Sequence, residues 1–133
     1  MTASKWDQYD IENKLIAIMS RVKNNKKSHP FKRPYLTAYQ LAIAFAEAYP
    51  VETRAIGLPI GGQGTGQRNS LAQYLAGQLT QRIKSGHTTQ IEGAFVSKNN
   101  ISELRFRTEQ GKSIVSSLTD AWDVSMFRLR SDA

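Results

Sequence analysis

The chain has 133 residues and a mass of 14.9 kDa, with 40% hydrophobic and 22% charged residues, which is the balance of one soluble globular domain around one core. It contains no cysteine, which excludes a disulfide framework, Cys-based zinc fingers, iron–sulfur clusters and thiol catalysis together. Eighteen Lys and Arg against eleven Asp and Glu leave a net charge of +7, a surplus suited to a polyanionic partner.

The opening residues, MTASKWDQYD, turn acidic where a secretory signal would be apolar. The longest apolar runs, around Ala42–Ala46, fall far short of the roughly 20 residues that cross a bilayer. A cytoplasmic protein with no membrane partner is expected. From Asp7 to Lys23, Ile11, Leu15, Ile18, Met19 and Val22 recur on one face of an amphipathic helix. Asp7, Asp10 and Glu12 near its start and Arg21 and Lys23 at its end suit the helix dipole. Residues 24–36 then read as a loop, because Pro30 and Pro34 interrupt regular structure.

Charge is uneven along the chain. Arg21–Pro34 carries +6 with no acid, from Arg21, Lys23, Lys26, Lys27, Lys32 and Arg33. A cluster of this density stabilises a nearby phosphate backbone and releases its condensed counterions. The same lysines would also keep a plain solvated linker soluble.

Residues 37–86 read as a helical core. Thr37 with Gln40 fits a capping box that starts a helix over AYQLAIAFAEAY, apolar almost all round and stopped by Pro50, with Leu41 and Phe45 in the core. A short helix over 51–56 follows, and then a glycine-rich connector, 57–66, with Gly57, Gly61, Gly62, Gly64 and Gly66. Such a stretch before a helix resembles phosphate-binding loops. It lacks the Gly-Lys-Ser/Thr of a Walker loop, having Gly66-Gln67-Arg68, and its glycine spacing is not that of a dinucleotide fingerprint. A flexible connector is the simpler reading, with Arg68 able to reach a phosphate.

Ser70 with Gln73 caps a third helix that stops at Gly86. Leu71, Leu75, Leu79 and Ile83 form its inner stripe, widened by Ala72 and Ala76. Gln73, Gly77, Thr80, Gln81 and Lys84 fall opposite. Glutamine can pair bidentately with adenine in a major groove, lysine with guanine or phosphate, and glycine permits close approach. An ordinary solvated helix face has similar residues.

Residues 87–130 change to a period of two. Thr89–Ser97 and Ile101–Thr108, separated by the turn formers Lys98-Asn99-Asn100, read as a hairpin. A second turn over Thr108–Lys112 leads into SIVSSL, and Asp123–Arg130 forms a last strand, with a bulge near Phe127 where its alternation shifts. Three or four antiparallel strands result, and the fold class is α+β: a three-helix core followed by a small antiparallel sheet or hairpin.

Three helices, the last polar outside, followed by a hairpin carrying Arg105, Arg107 and Lys112, resemble a winged helix-turn-helix domain over about residues 35–118. The resemblance implies that Ser70–Ser85 is presented to a DNA major groove. It also implies that Thr108–Lys112 is the wing beside phosphates, and that the added first helix serves dimerisation. The long glycine-rich connector and the extra last strand depart from the family pattern.

Catalytic constellations are sparse. His29 and His87 both fall in loops. As an acid–base pair aided by Lys32 or Arg33 they would suit RNA cleavage, but ordinary surface residues read the same way. Glu92 and Glu103 would meet across the first hairpin, as any strand pair can. No metal-ligand spacing and no Gly-x-Ser-x-Gly elbow occurs, so neither an enzyme nor a cofactor is expected. Two readings stand: a DNA-binding regulator or accessory factor (DNA rather than RNA), or a protein-interaction module. In the second, the first helix or a sheet edge near Asp123–Arg130 pairs with a partner or a second copy, and Trp6, Tyr9 and Trp122 are candidate interface aromatics.

Overall fold

The computed structural model describes residues 4–23, 30–61, 70–117 and 124–130. Helices and antiparallel strands are both present, giving the expected α+β class. Among the described residues no helix is long and apolar enough to cross a membrane.

The N-terminal helix expected over 7–23 is two helices, α1 (Lys5–Gln8) and α2 (Ile11–Ser20). They break at Asp10, which is left-handed at φ 51° and ψ 47°, a conformation that Asp tolerates better than bulkier residues. The amphipathic pattern hides this break, and Trp6 explains it. Its side chain is only 2% exposed, its ring lies 6.3 Å from that of Tyr74, and the Arg82 guanidinium covers it at 5.0 Å. Trp6 is thus a core residue rather than an interface aromatic. Ile11, Leu15, Ile18 and Met19 of α2 also point into the chain's own core, so the apolar face suggested for dimerisation is already covered.

A two-residue strand, β1 (Leu36–Thr37), precedes α3 (Ala38–Ala48). The capping box is reciprocal: the Gln40 N–H donates to Thr37 Oγ1 at 3.2 Å and the Thr37 N–H donates to Gln40 Oε1 at 2.7 Å. Leu41, Ala42 and Phe45 have no exposed surface, as the apolar run predicts. Helix α4 (Pro50–Ile56) begins on proline, which needs no N–H partner there, and ends on left-handed Gly57. Helix α5 (Leu71–Ser85) follows, with Leu71, Leu75 and Leu79 fully buried. Thr88, just beyond it, donates to the Glu12 carboxylate at 2.6 Å and ties its end to α2.

Strands β2 (Ile91–Val96) and β5 (Val124–Leu129) pair with each other, and β1 pairs with β5, so the three-stranded antiparallel sheet has the order β1-β5-β2. This corrects two expectations. The stretch 89–97 does not pair with 101–108, and Asp123–Arg130 supplies the central strand rather than an edge. The register from Ile91↔Leu129 to Val96↔Val124 is unbroken, so the shift near Phe127 is no bulge. Buried Val124 and buried Phe127 simply lie on opposite faces of the same strand. Gly93 lets the Phe127 ring pack closely: a Cβ there would stand 3.2 Å from it and push it by a few tenths of an ångström.

The turn at Lys98–Asn100, with Asn100 left-handed, delivers the chain into a separate hairpin, β3 (Glu103–Arg107) and β4 (Ser113–Ser117). Its inner positions include Leu104, Phe106, Ile114 and Ser116, and α3 holds it. Tyr39 stacks on Phe106 with centroids 5.2 Å apart and planes at 15°. Ser116 Oγ donates to Tyr39 Oη at 2.9 Å, and the Glu109 N–H donates to the Glu47 carboxylate at 2.7 Å. Glu92 and Glu103 therefore belong to different sheets and do not meet.

Removing Tyr39 should loosen the hairpin more than the three-stranded sheet. Tyr39→Ala deletes one aromatic stack and one hydrogen bond, together about 1–2 kcal/mol. Amide hydrogen exchange should accelerate in β3 and β4 while β2 and β5 keep their protection. Burial also raises the Tyr74 phenol above its ordinary 10.0, against an opposing pull from Arg82. Above pH 10 the unfolded chain ionises first, so stability falls as pH rises. Urea unfolding on either side of that pH should show a smaller alkaline loss in Tyr74→Phe.

Candidate nucleic-acid interface

The outer face of α5 is presented as its periodicity requires. Gln73, Gly77, Thr80, Gln81 and Lys84 are all exposed, and the helix carries Arg82 and Lys84 but no acid. Arg82 serves a different purpose from Lys84. Its guanidinium stacks on Trp6, and its Nε is buried without a hydrogen-bond partner. The free cation on the outer face is therefore Lys84, near the C-terminal end, where it also complements the helix dipole.

Gly77 is the informative residue of this face. A Cβ built on it meets nothing within 4 Å, and it is not among the left-handed glycines. Alanine there would stabilise the helix by about 1 kcal/mol. Nothing among the described residues requires the glycine.

The N-terminus of α5 is closed to anions. The Leu71 and Ala72 N–H groups donate to the carbonyls of Pro59 and Ile60 at 2.6 and 3.0 Å, and the Gln73 N–H donates to Ser70 Oγ at 3.1 Å. Gly61 lets the connector pass closely: a Cβ there would come within 3.3 Å of Ser70 and of Tyr39. The glycine-rich stretch thus uses its described part to cap the helix from within. A phosphate site on the first turn would find these three donors taken. Gly62, Gly64, Gly66 and Arg68 lie outside the described residues.

The basic loop is held on the back of the three-stranded sheet. Arg128 of β5, on the face away from Phe127 and Leu129, donates to the carbonyls of Phe31 and Arg33 at 2.6 and 3.0 Å. The same guanidinium pairs with Glu92 at 2.7 Å and covers the Tyr35 ring at 4.2 Å. Arg33 in turn donates to the Val22 carbonyl at 3.3 Å, which joins the loop to the end of α2, where Arg21 and Lys23 are exposed. Lys32 is exposed and left-handed at φ 69°. Lys26, Lys27 and His29 lie outside the described residues.

This clasp forms an open cleft lined by Pro30, Phe31, Lys32, Arg33, Pro34, Tyr35 and Arg128. Phe31 is 71% exposed beside these cations, a pairing of ring and charge that suits nucleic acid. The sequence reading assigned no role to Phe31, Tyr35 or Arg128. The run HPFKRPY contained the signal, but Arg128 is 95 residues from Arg33 and joins them only through the fold.

On the hairpin, Arg105 and Arg107 share the outward face of β3, and Lys112 is exposed at its turn. Arg105 is partly neutralised by Glu103 at 2.9 Å. The three cationic groups are therefore carried by different supports: the loop by β5 and α2, the hairpin by α3, and Lys84 by α5 itself. Tyr39 links two of them, since it contacts Phe106 and also borders Gly61 beside the α5 cap.

His87 is exposed with its Nδ1 2.7 Å from Ser85 Oγ, and no group of three His, Asp or Glu able to hold a metal occurs among the described residues. Trp122 also lies outside them. Comparison with family models, with curated proteins and with solved structures finds no match to this chain.

Gly77→Ala should raise the urea midpoint, with a gain of about 1 kcal/mol at unchanged slope. An unchanged or lowered midpoint would mean that the glycine has a structural purpose inside the chain.

Proposed function

We propose that the chain is a non-enzymatic DNA-binding protein, a small cytoplasmic regulator or accessory factor, working as a winged helix-turn-helix domain does. Helix α5 enters the major groove with Gln73, Thr80, Gln81 and Lys84 toward base edges or phosphates. The turn Thr108–Lys112 with Arg105 and Arg107 lies beside a phosphate backbone. Arg21, Lys23, Lys26, Lys27, Lys32, Arg33 and Arg68 add contacts to phosphate that carry no sequence information.

The observation that carries this reading is the exposed face of α5: polar, cationic, free of acid, and centred on a glycine that costs stability and that none of the described residues requires. A bare backbone at that position is useful to a partner that approaches within van der Waals distance. The net charge of +7 and the ring-and-cation cleft around Phe31 point to the same class of partner.

Binding to duplex DNA should weaken linearly on a log–log plot against salt, with a slope of about −0.9 for each phosphate neutralised. Lys32→Gln and Arg107→Gln should each reduce that slope by about 1 and weaken all sequences alike. Gln73→Ala with Gln81→Ala should instead flatten the preference among sequences selected from a random pool. Gly77→Ala should lose affinity while gaining stability. Fluorescence anisotropy with labelled duplexes reads all four, and no binding at low salt would end the proposal.

A further inference from the structure

We propose that β2 is a homodimerisation edge, at which two copies join their three-stranded sheets into one continuous six-stranded sheet about a two-fold axis. In the order β1-β5-β2, β2 is terminal, and no strand among the described residues pairs with its far side. The Arg130 N–H donates to the Gln90 carbonyl at 2.9 Å, which makes Gln90 and Arg130 a hydrogen-bonded pair. Alternation then turns the backbone groups of Glu92, Ala94 and Val96 toward β5. Those of Ile91, Gly93 and Phe95 point outward, and an open edge of this kind is a template for another strand.

The strand is complementary to itself. Phe95 is 64% exposed and stands two residues from Gly93, which is exposed although the Phe127 ring of β5 packs against it. An antiparallel copy that places Ala94 opposite Ala94 sets each Phe95 opposite the other copy's Gly93. Both of these residues have outward-facing backbone groups, so they form a hydrogen-bonded pair twice over. Each Phe95 ring then stands beside the other copy's Gly93, across from the Phe127 ring that already packs there, a cross-strand aromatic arrangement of the kind that supports edge glycines. Glycine and ring thus occur in the order that reversal of the strand about Ala94 requires, which favours a second copy over an unrelated peptide.

The test needs no nucleic acid, so its result is separable from that of the DNA-binding proposal. Light scattering should give a mass twice 14.9 kDa. Phe95→Lys should halve it without altering the circular dichroism, because the ring is exposed in the single chain. The chain has no cysteine of its own, so Ala94→Cys offers one thiol per copy. Mild oxidation should then lock the dimer across the axis, whereas Thr80→Cys on α5 should leave it uncrosslinked. A monomer mass, a dimer that Phe95→Lys leaves intact, or an Ala94→Cys dimer that fails to lock in preference to the Thr80 control would overturn the proposal.

Discussion

Helix α3 is apolar almost around its whole circumference, and hiding that circumference from water decides where the other elements go. Leu41, Ala42 and Phe45 are inaccessible, and the helix touches α2, α4 and α5 as well as β1 and β5. Burying one large side chain of this kind contributes about 1.5–3 kcal/mol, so a helix with several of them dominates the packing of a domain this small. The first turn still exposes a flank at Tyr39, and the hairpin covers it. Tyr39 suits that position because its ring accepts Phe106 while its hydroxyl accepts the Ser116 proton. The hairpin is consequently an attachment to the central helix rather than an extension of the three-stranded sheet.

That dependence also shapes the candidate interface. Helix α5 can expose a wholly polar flank because its leucines are anchored against α3 and because its first-turn donors are satisfied by Pro59, Ile60 and Ser70. The cationic loop is fixed independently by Arg128, whose guanidinium holds two carbonyls, one carboxylate and one ring. Arg128 is more useful as this clasp than as a surface charge, since its planar fork can serve several acceptors at once.

What the string discloses follows the range of the interaction. The capped starts of α3 and α5, the stop at Gly86 and the leucine stripe of α5 are set within a few residues, and all are found where the pattern places them. The break at Asp10 is local in position but not in cause: Trp6 must reach Tyr74 and Arg82, and the amphipathic repeat is silent about that. Strand pairing is harder still. Lys98-Asn99-Asn100 is a turn, as its residues suggest, yet turn chemistry does not say which strand comes next. Ile91 pairs with Leu129, and nothing between them announces it. The outward residues of α5 were legible for the same reason as its core, whereas the cleft around Phe31 required a partner from the far end of the chain.

The pairing of β2 with β5 has a kinetic consequence. Twenty-seven residues separate Val96 from Val124, so their alignment must close a long loop before any ladder bond forms. The β3–β4 hairpin lies inside that loop and closes through its own short turn, on the microsecond scale typical of hairpins. Once formed, it brings Glu103 beside Ser117 and removes about half of the freely moving chain. The logarithmic law for loop closure makes this worth about 0.6 kcal/mol, a little under threefold in rate. The excursion that interrupts the sheet in sequence thus shortens the search by which the sheet is assembled.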